Sequence, residues 1–289
     1  MTPGTPVVRM VDGVPVRLRE EHDLGFLSRW GRVFRVLDLQ DSGNLCVGLE
    51  GAAGRVFVKY AGAQTLRYQG RIEDAVASLR AAGARYRALA HPTLLPLLES
   101  ADIGTWGHAL VFPWSDAVCI GRQYGRRGVL DGLAPVQRAA AVQQLFDFHV
   151  EVARRGWVAV DLYDGSVLVD PESGRPTVCD IDFYQPAPCI NRVGRMWGST
   201  RFMAPEEFEL GAVIDEVTTV HTLGVLAHSL LGDDETRSRD AWVGSDHQFG
   251  IAGRAARPQR SERWPTTADL AAAWRSTLGQ GIAGVATRA

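Results

Sequence analysis

The chain changes its hydrophobic rhythm once, near Trp114, and that change constrains the fold more than any other feature. Before Trp114, short apolar segments alternate with turn sequences. Val7–Met10 and Val14–Arg19 flank a Val11-Asp12-Gly13 turn, the pattern of a hairpin. Val33–Leu39, Leu45–Glu50 and Val56–Tyr60 follow as strands, joined by Asp41-Ser42-Gly43-Asn44 and by residues 51–54. Ile72–Leu89 has helical spacing through Ile72, Val76, Leu79 and Tyr86, and His91-Pro92 ends it. Leu94–Leu98 and Ala109–Phe112 read as two further strands, giving a sheet of about five strands with one helix.

After Trp114 the period lengthens. Pro135–Arg154 is a long amphipathic helix. Short strands are expected at Val167–Val169 and Thr177–Cys179, and helices at Glu206–Leu210, Val217–Leu231 and Thr267–Trp274. The polar stretch Gly232–Trp264 reads as a loose excursion. The expected class is α+β: an N-terminal extension over 1–28, a small antiparallel β-sheet lobe with one helix over 29–114, and a larger, mainly helical lobe over 115–289.

Net charge is −2 with no long run of one sign, which argues against a nucleic-acid footprint or a polybasic membrane patch. No segment approaches the roughly 18 apolar residues of a membrane span, and the first residues lack the layout of a signal peptide. The four cysteines show no CxxC spacing and mostly sit in apolar runs, as buried thiols in a reducing compartment would, so a cytoplasmic protein is expected. Of 31 basic residues, only Lys59 is lysine. In an arginine-rich chain, a solitary lysine marks a position where a compact ammonium on a flexible stem does what a planar guanidinium does not.

Three segments end on residues able to do chemistry. Val56-Phe57-Val58-Lys59 is a strand closing on that lysine, a cation suited to phosphate oxygens. In Val160-Asp161-Leu162-Tyr163-Asp164-Gly165-Ser166, a loop presents a carboxylate and, five residues later, a hydroxyl. Val178-Cys179-Asp180-Ile181-Asp182 ends a strand on two carboxylates, hard oxygen ligands of the kind Mg²⁺ accepts together with phosphates. Singly, each also fits an ordinary turn or solvated surface.

In order and spacing, the three together resemble the protein kinase superfamily. Val-Phe-Val-Lys59 is similar to its V-A-I-K strand, and residues 161–168 resemble its catalytic loop D-L-x-x-x-N-I-L. Asp180, 19 residues beyond Asp161, falls at the D-F-G position. Gly198-Ser199-Thr200-Arg201-Phe202-Met203-Ala204-Pro205-Glu206 is close to G-T-x-x-Y-x-A-P-E. Leu-x-His-Pro at 89–92 and Leu223-Gly224-Val225-Leu226 add weaker agreement, and the likeness runs over about residues 30–276.

The resemblance implies a bilobal protein-kinase-like fold using ATP and Mg²⁺. It assigns Lys59 to the phosphates, Asp161 to the attacking hydroxyl and Ser199 to seating that hydroxyl. Ser42, Gly43 and Asn44 would cover the phosphates, while Phe112 and Trp114 would border the adenine. Asp180, Ser166 and Asp182 would hold metal, and Arg263 would pair with Glu206.

Departures accompany the match. The glycine-rich loop keeps one glycine, and Ala159 and Val160 replace the His-Arg before the catalytic Asp. Tyr163 replaces the loop lysine, and Ser166 the metal-binding asparagine, with Asp182 or Asp164 as a compensating carboxylate. The acid that should pair with Lys59 falls on Glu73 by one count and near Ala82 by another. Thr219 stands where the family's helix carries an aspartate, with Asp215 four residues earlier. The leading expectation is an ATP-dependent serine/threonine-type protein kinase of bacterial kind acting on an unidentified protein. The alternatives are a pseudokinase scaffold that binds nucleotide and a small-molecule kinase of the aminoglycoside or choline type.

Overall fold

The computed structural model describes residues 6–105, 107–125 and 128–278, and the chain is an α+β protein with six α-helices and several small antiparallel sheets among them. It divides into two compact units, residues 1–90 with 95–115, and residues 91–94 with 116–289.

The first unit opens with a hairpin of β1 (Val7–Val11) and β2 (Val14–Leu18). Its main sheet contains β3 (Arg32–Leu37), β4 (Leu45–Gly51), β5 (Gly54–Ala61), β6 (Glu99–Ile103) and β7 (Gly107–Pro113), in the order β3-β4-β5-β7-β6 and antiparallel throughout. Alternation sorts the side chains onto two faces. Leu45, Val47, Leu49, Val58, Tyr60, Ala109 and Val111 form one, packed against Val16, Leu18, Leu24 and Leu27. The segment expected to be an extension therefore supplies part of this core. The other face carries Cys46, Gly48, Phe57, Lys59, Leu110 and Phe112, as the pairings Cys46–Lys59, Lys59–Leu110, Gly48–Phe57 and Phe57–Phe112 require. Helix α1 (Ile72–Ala88) packs there: Gly83 sits against Ser100 and Leu110, and Tyr86 lies 4.8 Å from the Phe112 ring.

The expected strand Leu94–Leu98 does not form. Leu94 makes one isolated bridge with Val178, and the strand begins only at Glu99. Pro96 lies inside the expected strand and lacks the N–H that a ladder needs.

In the second unit, β8 (Val118–Cys119) precedes the short α2 (Gly128–Asp131) and the long α3 (Pro135–Arg154). Then come β9 (Trp157–Val158), β10 (Val167–Val169), β11 (Pro176–Val178), β12 (Gln185–Pro186), β13 (Cys189–Ile190) and β14 (Val213–Ile214). Three helices complete it: α4 (Glu216–Leu231), α5 (Asp246–Ala255) and α6 (Thr267–Leu278). Helix α4 is buried nearly all round, and its Gly224 lets α5 approach closely: a Cβ there would lie 2.7 Å from Ala255 Cβ and from Ala256 N. Glu206–Leu210, expected as helix, is a single 3₁₀ turn over Pro205–Phe208. The stretch read as a loose excursion holds α5, opened by a reciprocal cap in which Ser245 Oγ accepts from Gln248 N–H and Gln248 Oε1 from Ser245 N–H.

Candidate functional site

The loop carrying Asp161 is held from several sides. Asp161 adopts φ +61°, a left-handed conformation that costs a non-glycine residue about 1 kcal/mol or more and needs support from its surroundings. Ser166 Oγ–H donates to the Asp161 carbonyl at 3.2 Å, and Ala159 N–H donates to Thr219 Oγ1 of α4 at 3.1 Å. Thr219 thus braces the backbone where the sequence lacks the expected aspartate. Gly198, at φ +145°, sits directly against the loop; a Cβ there would lie 3.7 Å from Asp161 Cα.

Pairing of β10 with β11 sets Val167 opposite Val178, and Cys179 N–H donates to the Ser166 carbonyl at 2.8 Å. This register brings Asp180 to the Asp161 loop. Both carboxylates raise the pKa of the Tyr163 and Tyr184 phenols, on top of the larger upward push from burial. Tyr184 donates its hydroxyl hydrogen to His149 Nε2 at 2.8 Å, because His149 Nδ1–H is committed to the Leu145 carbonyl at 2.7 Å. Burial drives this histidine's pKa down to about 4, so it is a neutral brace at pH 7.

Metal-binding capacity rests on few groups. Among the described residues no three His, Cys, Asp or Glu side chains gather as a metal centre. Mg²⁺ needs only one or two carboxylates when phosphates and water complete its shell, so the chemistry of Asp180 with the buried Asp182 fits that ion. Asp182 N–H donates to Asp180 Oδ1 at 3.3 Å, fixing the two residues in one turn. Ser166 spends its proton on the Asp161 carbonyl, which leaves its oxygen lone pairs for a metal.

Asp164 does not fill the compensating role expected of it. Its carboxylate is fully buried, takes Arg201 Nη2 at 3.3 and 3.2 Å, and accepts Arg122 N–H at 3.2 Å. Arg201 Nη1 pairs with Asp234, also fully buried, and Arg122 Nη2 reaches Asp234 Oδ1 at 2.9 Å. This network ties the Asp161 loop, the 198–206 segment and the turn after α4 into one piece. Sequence reading missed it, because Arg201 occupies a variable position of its motif and Asp233-Asp234-Glu235 reads as an ordinary acidic run.

Ser199 is half-buried in the same segment, and its carbonyl accepts from Phe202 N–H at 2.8 Å. Phe183, next to Asp182, stacks on the exposed Trp197 with ring centroids 5.8 Å apart. Glu206 anchors the segment's end. It receives Arg263 Nη1 and Nη2 at 2.7 and 3.0 Å, Arg260 Nη1 at 2.6 Å and the Thr218 hydroxyl at 2.9 Å. Arg260 was not anticipated, and it also binds both oxygens of Asp215 at 2.7 Å.

In the first unit, Lys59 lies on β5 with 6% of its surface exposed, on the same face as Phe57 and Gly48. Phe112 is fully buried against Tyr86. Trp114 rests edge-on to Phe34 at 4.7 Å and covers Gly48, where a Cβ would fall 2.6 Å from the indole; Arg55 lies 6.0 Å from both rings. The Ser42-Gly43-Asn44 turn differs from an open phosphate cradle. Gly43, at φ +82°, is buried, and a Cβ there would meet Ala75 at 2.8 Å and the Tyr68 ring at 3.0 Å. Glu73 pairs with Arg71 at 3.3 Å on the exposed start of α1, and Ala82 is buried in that helix.

No protein-family model matches this sequence, and no curated protein matches it.

Proposed function

We propose that the chain is an ATP-dependent phosphotransferase, its two units corresponding to the lobes of a protein-kinase-like fold. Within that class, the reading best supported is a serine/threonine-type protein kinase. One observation carries it: the Asp161 loop, braced through Ala159 by Thr219, lies against Gly198 at the start of a segment whose far end is fixed by the Glu206–Arg263 pair. A general base must be oriented before its pKa matters, and a small-molecule kinase has no need of so firmly anchored a 198–206 segment.

In this reading Asp161 orients the acceptor hydroxyl and takes its proton, while Ser199 contributes to seating the acceptor. Lys59 neutralises phosphate charge. Asp180, with Asp182 and Ser166, would hold Mg²⁺, which when bound supplies charge neutralisation on the phosphate oxygens. Tyr163, its phenol kept protonated by burial and by Asp161 and Asp180, is a hydrogen-bond donor in place of a lysine.

A second reading, a nucleotide-binding scaffold without turnover, is favoured by the closed Gly43 turn. Mg-ATP binding measured by calorimetry, together with transfer of labelled γ-phosphate to a generic protein, separates them. The kinase reading expects both, with Asp161→Asn abolishing transfer while retaining binding. Binding without transfer supports the scaffold, and no binding by the wild type overturns both.

A further inference from the structure

Away from these residues, the second unit contains an open cavity of about 660 Å³ along α5, within the size range of small-molecule sites. Its wall is cationic. Arg237, Arg254 and Arg257 face it against one acid, Glu262, a net of two positive charges.

Arg237 is the unusual member. It is half-buried, and burial lowers its pKa with no acid acting to restore it. Among the described residues no ion pair or hydrogen bond engages its guanidinium. The acids just before it, Asp233, Asp234 and Glu235, are taken up by Arg122, with Arg201 also on Asp234 and the N–H and hydroxyl of Thr236 on Asp233. A half-buried cation without a counter-charge is costly, and an anion in the cavity offsets that cost.

His228 supplies a second, independent sign. It lines the same cavity with 1% of its surface exposed, and its Nδ1 has no hydrogen-bond partner. Buried ring nitrogens are ordinarily satisfied, so this one points to a missing polar partner. Elsewhere the wall suits an apolar body. Phe249 contributes its ring, and Gly250 and Gly253 of α5 present bare backbone where an added Cβ would meet nothing within 4 Å. Arg254, held 3.9 Å over Trp264 with its Nε on the Glu262 carbonyl, and the exposed Arg257 stand at the rim, where their Nη groups face a second oxygen face.

We infer that this cavity is a binding site for a small phosphomonoester, with Arg237 and His228 on its phosphate and the Phe249–Gly253 face against its organic part. A dianion, rather than a single carboxylate, matches several converging guanidinium groups. The site goes beyond the phosphotransferase reading and does not depend on it.

Calorimetric titration with inorganic phosphate tests it, using sodium acetate as the carboxylate control. Wild type and the double variant Lys59→Ala/Asp180→Asn should both bind phosphate with a Kd on the order of 1 mM or tighter. Arg237→Gln should weaken binding at least tenfold, and Gly253→Leu, which fills the cavity, should do the same while melting like wild type. Equal affinity for acetate, retention of binding in both cavity variants, or its loss in Lys59→Ala/Asp180→Asn would each overturn the assignment. Failure of ATP transfer leaves every one of these results unchanged, so the two readings fail separately.

Discussion

Two neighbouring glutamates, Glu206 and Glu207, have opposite titrations, and each has a visible cause. Glu206 is pulled down to about 2, chiefly by Arg263 working against burial, whereas burial pushes Glu207 up to about 7. Glu206 therefore contributes stability that is present above pH 4.5 and is lost as pH falls toward 2. Glu207 does the reverse: its protonated form is favoured in the folded state, so raising pH from 4.5 to 7 removes stability. Glu207→Gln keeps the acceptor for Ala204 N–H and abolishes that loss. The variant should match wild type near pH 4.5 and gain up to about 3 kcal/mol at pH 8 in urea unfolding. Arg201 makes a second residue-scale case. Arg201→Ala leaves the buried Asp164 and Asp234 carboxylates short of their shared cation, and should destabilise by about 3 kcal/mol. Arg201→Lys restores the charge but not the fork, so its urea midpoint should fall between the two.

Among the elements, those with strong local periodicity were legible in advance. Helix α3 and strand β10 have the boundaries their spacing suggests, because their apolar stripe or alternation is self-contained. Helix α5 was missed although Ser245-Asp246-His247-Gln248 carries its cap, since its two glycines and surrounding arginines dilute the apolar stripe. The candidate site divides the same way. Asp161 and Asp180 could be picked out because each ends its own apolar segment. The Asp164–Arg201–Asp234 network could not, because its members come together only through the return of the chain around α4. Packing of α4 on α5 invites a direct test. Gly224→Ala would ordinarily favour a helix by about 1 kcal/mol. Here the new methyl meets Ala252 O and Ala255 Cβ of α5 at 2.8 and 2.7 Å and Ala256 N just beyond it at 2.7 Å, so a net loss of about 1–3 kcal/mol is expected in thermal unfolding.

At the scale of the whole molecule, acid should be the main stress. His149, His221 and His228 are all buried, and each is lowered to about 4 with burial as the leading cause. A histidine held neutral in the fold supports stability above pH 6.5 and forfeits it as pH falls toward 4, because only the unfolded chain takes the proton. Each contributes at most about 3 kcal/mol, and the three together outweigh the opposing gain of similar size from Glu207. Melting temperature followed by circular dichroism should fall steeply between pH 6.5 and 4, and His149→Gln should lessen that fall. The solitary lysine has a practical consequence of its own. Apart from the α-amine, the protein contains one site for an acylating reagent, and that site is 6% exposed on β5. A single mass increment, read by intact-protein spectrometry, then becomes a clock for the opening of this one strand. Slow in buffer and fast in urea, it should slow further under Mg-ATP wherever Lys59 meets a phosphate.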